Sequence, residues 1–171
     1  MKKIIFILTV LIFTSPAFSQ INKSSIKLLY SGIKFIIPVG YSVIGSRGGN
    51  ENFLVFKYSD EPGKKYLAFT NMNKKNIDYK CKLNVFFNDA YMDNKNSICN
   101  INELTAFKKI FLSNKDAGKW SNENFEFYYS IGKEDSFLFV VNKSGTVVKI
   151  DSDFIDKNGL KLIVDELLKK P

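Results

Sequence analysis

The chain has 171 residues, 25 lysines and arginines against 17 carboxylates for a formal net charge of +8, and no histidine. The missing imidazole excludes Ser-His and Cys-His dyads, Cys/His zinc sites and haem ligation by histidine. Arg47 is the only arginine, which argues against bidentate reading of phosphates or bases in nucleic acid.

In chain order, residues 1–19 come first. Lys2 and Lys3 form a positive start, residues 4–13 an apolar run, and Ala17-Phe18-Ser19 a small-x-small cleavage pattern, the anatomy of a secretory signal peptide. The run is about half the ~20 residues a membrane-spanning helix needs, so cleavage after Ser19 is expected rather than an uncleaved anchor. No cysteine precedes Cys81, which closes the lipoprotein route. The expected product is a periplasmic or secreted domain of residues 20–171, with no transmembrane segment. Loss of Lys2 and Lys3 lowers its net charge to +6. Its lysines are spread out, in pairs such as Lys64-Lys65, Lys74-Lys75 and Lys108-Lys109. They read as a solvated surface or, alternatively, as a surface for an anionic partner.

Residues 32–38 (GIKFIIP) are β-branched and aromatic and stop at Pro38-Val39-Gly40. Residues 41–45 form a second expected strand before the turn-rich SRGGNEN. The clearest hairpin has arms at 52–58 and 65–71, joined by Glu61-Pro62-Gly63-Lys64, with Pro and Gly where a type II turn needs them. Leu83, Phe86, Phe87, Ala90 and Tyr91 then follow helical spacing. After a polar loop, Asn100 and Glu103 suit the cap and third position of a second helix, whose stripe of Leu104, Phe107 and Phe111 runs to about Ser113. From Gly118 the period is two again: Phe125, Phe127, Tyr129 and Ile131 share a face, and SFLFVV and TVVKID flank the turn 142–145. Leu160, Ile163, Val164, Leu167 and Leu168 mark a last helix, with Asp165 to Lys169 and Glu166 to Lys170 as i, i+4 pairs. The order predicts one α+β domain: a mainly antiparallel sheet covered on one face by about three helices.

Cys81 and Cys99 are the only cysteines. Two thiols without histidine cannot complete a zinc site, and their spacing is far from a C-x-x-C redox pair. In an exported chain they are expected to form a disulfide. That bridge would start the second helix beside the start of the first.

The remaining chemistry is thin. Ser24 to Lys27 has S-x-x-K spacing, in an edge segment and without its companion motifs. Glu123, Glu126, Glu134 and Asp135 fall near turns or outward strand positions and read as solvated carboxylates; a two-carboxylate hydrolase is the other reading. Asp151, Asp153 and Asp156 approach a calcium loop. The register fails, with Ile155 at position 5, Asp156 at position 6 and Leu162 at position 12. Capping of the last helix by Asp153, Asp156 or Asn158 is expected, with a bound cation as the alternative. Gly48-Gly49 lacks the phosphate-loop pattern. No metal or cofactor is expected. Most aromatics lie on periodic faces and belong to the core. Tyr30, Tyr41, Tyr58, Tyr66, Tyr128 and Trp120, with the lone Arg47, suit a half-exposed contact surface.

The segment GIKFIIPVGY resembles the opening of PsbP-like domains, small exported α/β units with an antiparallel sheet and packed helices. That resemblance implies a non-catalytic binding or assembly role and carries no functional residues. In size, export signal and lack of catalytic groups the chain also resembles, in type, the periplasmic immunity proteins that neutralise delivered toxins. The expectation is a non-enzymatic envelope protein that binds another protein. The alternatives are a binder of small ligands or anionic envelope surfaces and, third, a carboxylate hydrolase.

Overall fold

The computed structural model describes residues 25–48, 52–72, 80–92, 94 and 97–169; the expected signal peptide lies outside them. Ser25–Tyr30 (β1) and Ile33–Pro38 (β2) pair as an antiparallel hairpin forming a sheet of its own. Ser31 and Gly32 both take positive φ, as a two-residue reversal matched to strand twist requires.

The larger sheet is antiparallel, in the order β3-β4-β5-β9-β8-β7-β6. Its strands are β3 (Val43–Arg47), β4 (Phe53–Lys57), β5 (Tyr66–Asn71), β6 (Asp116–Ser121), β7 (Phe125–Ile131), β8 (Ser136–Asn142) and β9 (Val147–Ser152). After β5 the chain makes its helical excursion, re-enters at the far edge as β6 and walks back until β9 pairs with β5. The turn between β4 and β5 forms as expected: Gly63 has φ +67° and Lys64 N–H bonds Glu61 O at 3.3 Å.

The excursion holds α1 (Leu83–Met92) and α2 (Ile101–Phe107), the latter running on as a π-helical turn, Lys108–Leu112. Asn100 caps α2, its side chain accepting the Asn102 N–H. Cys81 and Cys99 are bonded, with Cα atoms 5.1 Å apart, so α2 does begin beside the start of α1. The returning loop is fastened a second time by Asp89. This carboxylate is almost wholly buried and accepts hydrogen bonds from Asn94 Nδ2 at 3.0 Å and Ser97 Oγ at 2.5 Å. Nothing in the sequence marked Asp89 for that task.

Helices cover both faces of the large sheet, which corrects the one-face expectation. On one face Tyr128, Phe139, Val141 and Val147 pack against Leu83, Phe86, Phe87, Leu104 and Phe107 of α1 and α2. On the other, Phe127, Tyr129, Leu138, Val140, Val148 and Ile150 meet the β1–β2 hairpin and α3 (Lys157–Ile163). The reason lies in β7 to β9, whose neighbouring residues are buried alternately on opposite faces. FLFVV is the near-continuous apolar run of a strand buried on both sides. Phe87 is central to the first layer, with the rings of Tyr128, Phe139 and Phe107 5.1 to 5.5 Å away.

The last expected helix is divided. A tightened turn at Val164 (φ −104°, ψ 12°) separates α3 from the short α4 (Asp165–Leu168). Asp156 caps α3, accepting the Gly159 N–H at 2.8 Å. The Asp165–Lys169 pair forms at 2.6 Å, while Glu166 bonds Lys27 of β1 at 2.6 Å. Lys170, its expected partner, lies outside the described residues.

Candidate interaction face

Strand register decides what lies beyond the helical layer. On the face that carries Tyr128 and Phe139, the partners continue outward: Phe139 lies across from Lys149, Lys149 from Thr70, and Thr70 from Phe53. Arg47 pairs with Phe53, Gly45 with Val55 and Val43 with Lys57, so these six positions lie on this face. The apolar cluster under α1 and α2 reaches no residue of β3 or β4. Val43 is 54% exposed and Phe53 38%, while Val55 is half-buried. Among the described residues, no helix covers the β3 and β4 part of this face, whereas Ala68 of β5, across from Val55, is itself buried.

Its two ends differ chemically. At the β3 end, Gly45 supplies no side chain and leaves Val55 as the floor of a dimple; a Cβ at Gly45 would lie 3.1 Å from Val55 Cγ1. Arg47 stands exposed beside it. Toward the helices the surface turns polar. Lys149 bonds Asp151 at 2.8 Å, Lys115 bonds Asp135 at 2.8 Å, and the Lys115 ammonium sits 4.2 Å from the centre of the Phe137 ring. Tyr66 closes the row. Burial, with Asp151, Asp153 and Asp135 adding negative potential, pushes its hydroxyl up to about 12.

The sheet's two edges contrast in the same way. β6 carries Asp116 and Lys119, and both reach neighbouring helices: Asp116 to Lys157 at 3.3 Å and Lys119 to Asn88 of α1 at 2.9 Å. Such charges blunt an edge against further pairing. β3 reads Val-Ile-Gly-Ser-Arg, with Val43 and Ile44 exposed on opposite faces. It has neither proline nor lysine.

Of the contact residues expected from sequence, Arg47 and Tyr66 lie on the same face as Val43 and Phe53. The others lie elsewhere. Tyr30 fastens the β1–β2 hairpin to the large sheet: its hydroxyl accepts the Asn71 N–H at 3.1 Å and donates to Asn52 O. Tyr41 packs on Phe56 at 5.1 Å and on Tyr58 at 6.1 Å. Tyr58 donates to Pro38 O at 2.7 Å. Trp120 lies flat on Tyr129, ring centres 4.7 Å apart. Tyr128 corrects the expectation of a half-exposed ring. It is fully buried beneath α1, and its hydroxyl reaches Glu126 Oε2 at 3.0 Å, because position 128 falls on the helix-covered side of a strand buried on both faces.

Val43, Phe53 and Val55 are the residues that sequence reading passed over as ordinary strand positions. Their common face depends on the length of the reversal through SRGGNEN, since a slip of one residue would turn every β3 side chain over.

The acidic cluster is dispersed into separate tasks. Asp151 pairs with Lys149, Asp153 accepts the main-chain N–H groups of Lys65 and Tyr66 at 2.8 and 2.9 Å, and Asp156 caps α3. Among the described residues no group of three or more Cys, Asp or Glu side chains is placed to hold a metal ion. No helix among them is long and apolar enough to cross a membrane. No family model, curated protein or solved structure matches the chain.

Proposed function

We propose that this protein is a non-enzymatic, exported protein-binding domain of the bacterial envelope, which docks its partner on the exposed face of β3 and β4. Neutralisation of a delivered toxin is the sharpest form of this reading. The observation that carries it is the exposed pair Val43 and Phe53, next to Arg47, on a sheet face whose other half is sealed by α1 and α2. A sheet face with apolar side chains calls for a cover. An aromatic and an arginine around an apolar dimple are the residue types that anchor protein interfaces.

Other features support the same reading. The carboxylates that a hydrolase would need in pairs hold structural partners instead: Asp135 holds Lys115, Asp153 two main-chain amides, and Glu126 the Tyr128 hydroxyl. The N-terminal signal pattern, the disulfide and the resemblance to small exported binding domains fit an oxidising compartment and a binding role.

Affinity purification of the exported protein from periplasm tests the proposal. A stoichiometric protein partner is expected, and a strain lacking the protein should be inhibited by neighbouring cells that deliver that partner. Repeated recovery of the protein alone would contradict the reading.

A further inference from the structure

β3 ends the large sheet, and among the described residues it pairs with β4 alone. The pairing of β4 with β5 fixes which main-chain groups of β3 are left over. Tyr58 N–H bonds Lys65 O at 2.7 Å and Asn71 N–H bonds Asn52 O at 3.2 Å, so the even positions of β4 bond toward β5, and Phe53, Val55 and Lys57 bond toward β3. Their partners Arg47, Gly45 and Val43 therefore turn their amides inward. Ile44 and Ser46 turn theirs to the open edge. The opposite edge, β6, ties Asp116 and Lys119 to its own helices, so β3 is the edge left for assembly.

The strand is suited to a second copy of itself. Ile44 ends a row of the main core: it lies across from Phe56, which lies across from Leu67, and these two are 2% and 0% exposed whereas Ile44 is 51% exposed. An antiparallel copy related by a two-fold axis at Ile44 sets Ile44 against its own equivalent. Two main-chain hydrogen bonds join the pair, and the two cores meet through β-branched side chains. On the other face the same register places Val43 of each copy across from Gly45 of the other, a pair without hydrogen bonds whose Cα atoms come within about 4.5 Å. Each valine then fills the place that Gly45 leaves open beside Val55. An axis at Gly45 would instead face glycine with glycine and Ile44 with Ser46.

Charge favours the same arrangement. Arg47 and Asp60 are exposed, and neither is in an ion pair among the described residues. They sit at opposite ends of β3, with Asp60 Oδ1 accepting from Ser42 Oγ at 3.5 Å. In the paired copies Arg47 comes across from the other copy's Tyr41, next to Ser42, and so within reach of the other copy's Asp60, twice over by symmetry. The two arginines themselves stand about six residues apart along the strands, about 20 Å, well beyond the screening length of about 8 Å.

We infer that the protein forms a two-fold symmetric dimer by antiparallel pairing of β3 with β3 of a second copy, which makes one continuous sheet and sets the two Val43 and Phe53 faces side by side.

Sedimentation equilibrium of the purified, disulfide-intact protein tests the inference at concentrations up to about 0.5 mM, because a small interface holds in the micromolar range. No protein partner is present, so the outcome is separable from that of the docking face. A monomer–dimer equilibrium is expected. Ile44→Lys places two ammonium groups at the axis and should weaken the dimer at least about tenfold with an unchanged circular dichroism spectrum. Arg47→Glu and Asp60→Lys should each weaken it by about three- to tenfold, and the two combined should restore it to within about twofold. Under mild oxidation Ile44→Cys should link two chains, its Cα pair lying about 5.5 Å apart and within disulfide range; Ser46→Cys, about 14 Å from its equivalent, should not. A protein that stays monomeric, an Ile44 amide protected from exchange in the monomer, additive losses in the charge-swapped protein, or cross-linking by Ser46→Cys in place of Ile44→Cys would overturn it.

Discussion

Tyr129 on β7 lies directly across from Gly118 on the edge strand β6 and occupies the space a side chain at Gly118 would take. A Cβ built there falls 2.6 Å from the Tyr129 hydroxyl and 2.8 Å from Cζ. The ring is pinned from its other sides by Trp120 at 4.7 Å and by Lys157, whose ammonium lies 2.5 Å from the hydroxyl. An aromatic folded over a strand glycine compensates for the missing side chain and fixes the pairing register. Gly118→Ala therefore costs about 1–3 kcal/mol through overpacking. In a Tyr129→Ser background the same change is close to neutral. Urea denaturation of the four proteins measures the coupling, and additive effects would contradict the contact.

Reduction tests the staple. The Cys81–Cys99 bond closes a loop with a sequence separation of 18, worth on the order of 3 kcal/mol in the chain-entropy model. For a domain of this size that corresponds to a fall of about 6–12 °C in melting temperature. The Cys81→Ser, Cys99→Ser variant should match the reduced protein. Asp89→Ala should add a further loss of about 1–3 kcal/mol, because Asn94 and Ser97 lose their buried acceptor.

Alkali should loosen the fold through its buried tyrosines, Tyr58 and Tyr66 among them. Burial, and secondarily Tyr41, raises Tyr58 to about 12; burial, and secondarily the carboxylates Asp151, Asp153 and Asp135, raises Tyr66 to about 12. A phenol whose folded pKa lies above its unfolded value near 10 favours the native state fully below pH 10. That contribution is lost as the pH climbs from 10 to 12. Stability should fall across this window. Tyr66→Phe should flatten the slope, and an identical slope in that variant would contradict the assignment.

Much of this architecture was legible in residue spacing. Pro62-Gly63 marked its turn because only glycine takes φ +67° there without strain, and Leu83, Phe86, Phe87 and Ala90 marked α1 because their spacing repeats every helical turn. The two-sided burial of β7 and β8 was written in FEFYYSI and SFLFVVN, yet the period-two reading placed only Phe125, Phe127, Tyr129 and Ile131, which do share a face, and left Tyr128 half-exposed. Other features had no local signal. Asp153 holds Lys65 and Tyr66 across 88 and 87 positions of sequence, and Lys27 holds Glu166. These contacts depend on β9 returning to the side of β5 and on the hairpin folding over the sheet. The candidate face was the hardest to see: Arg47 and Tyr66 stood out by type, whereas Val43, Phe53 and Val55 gain meaning only from what the helices leave uncovered.

The account stands most directly on partner capture by face variants. Arg47→Glu combined with Phe53→Asp places two charges on exposed positions and should leave the melting temperature within about 2 °C of the parent. Quantitative co-purification from periplasm should lose the stoichiometric partner in this double variant, and should keep it in a control carrying Leu29→Ser on the outward side of β1. Retention of the partner by a folded Arg47→Glu, Phe53→Asp protein would contradict the assignment of the exposed face of β3 and β4 as the docking surface.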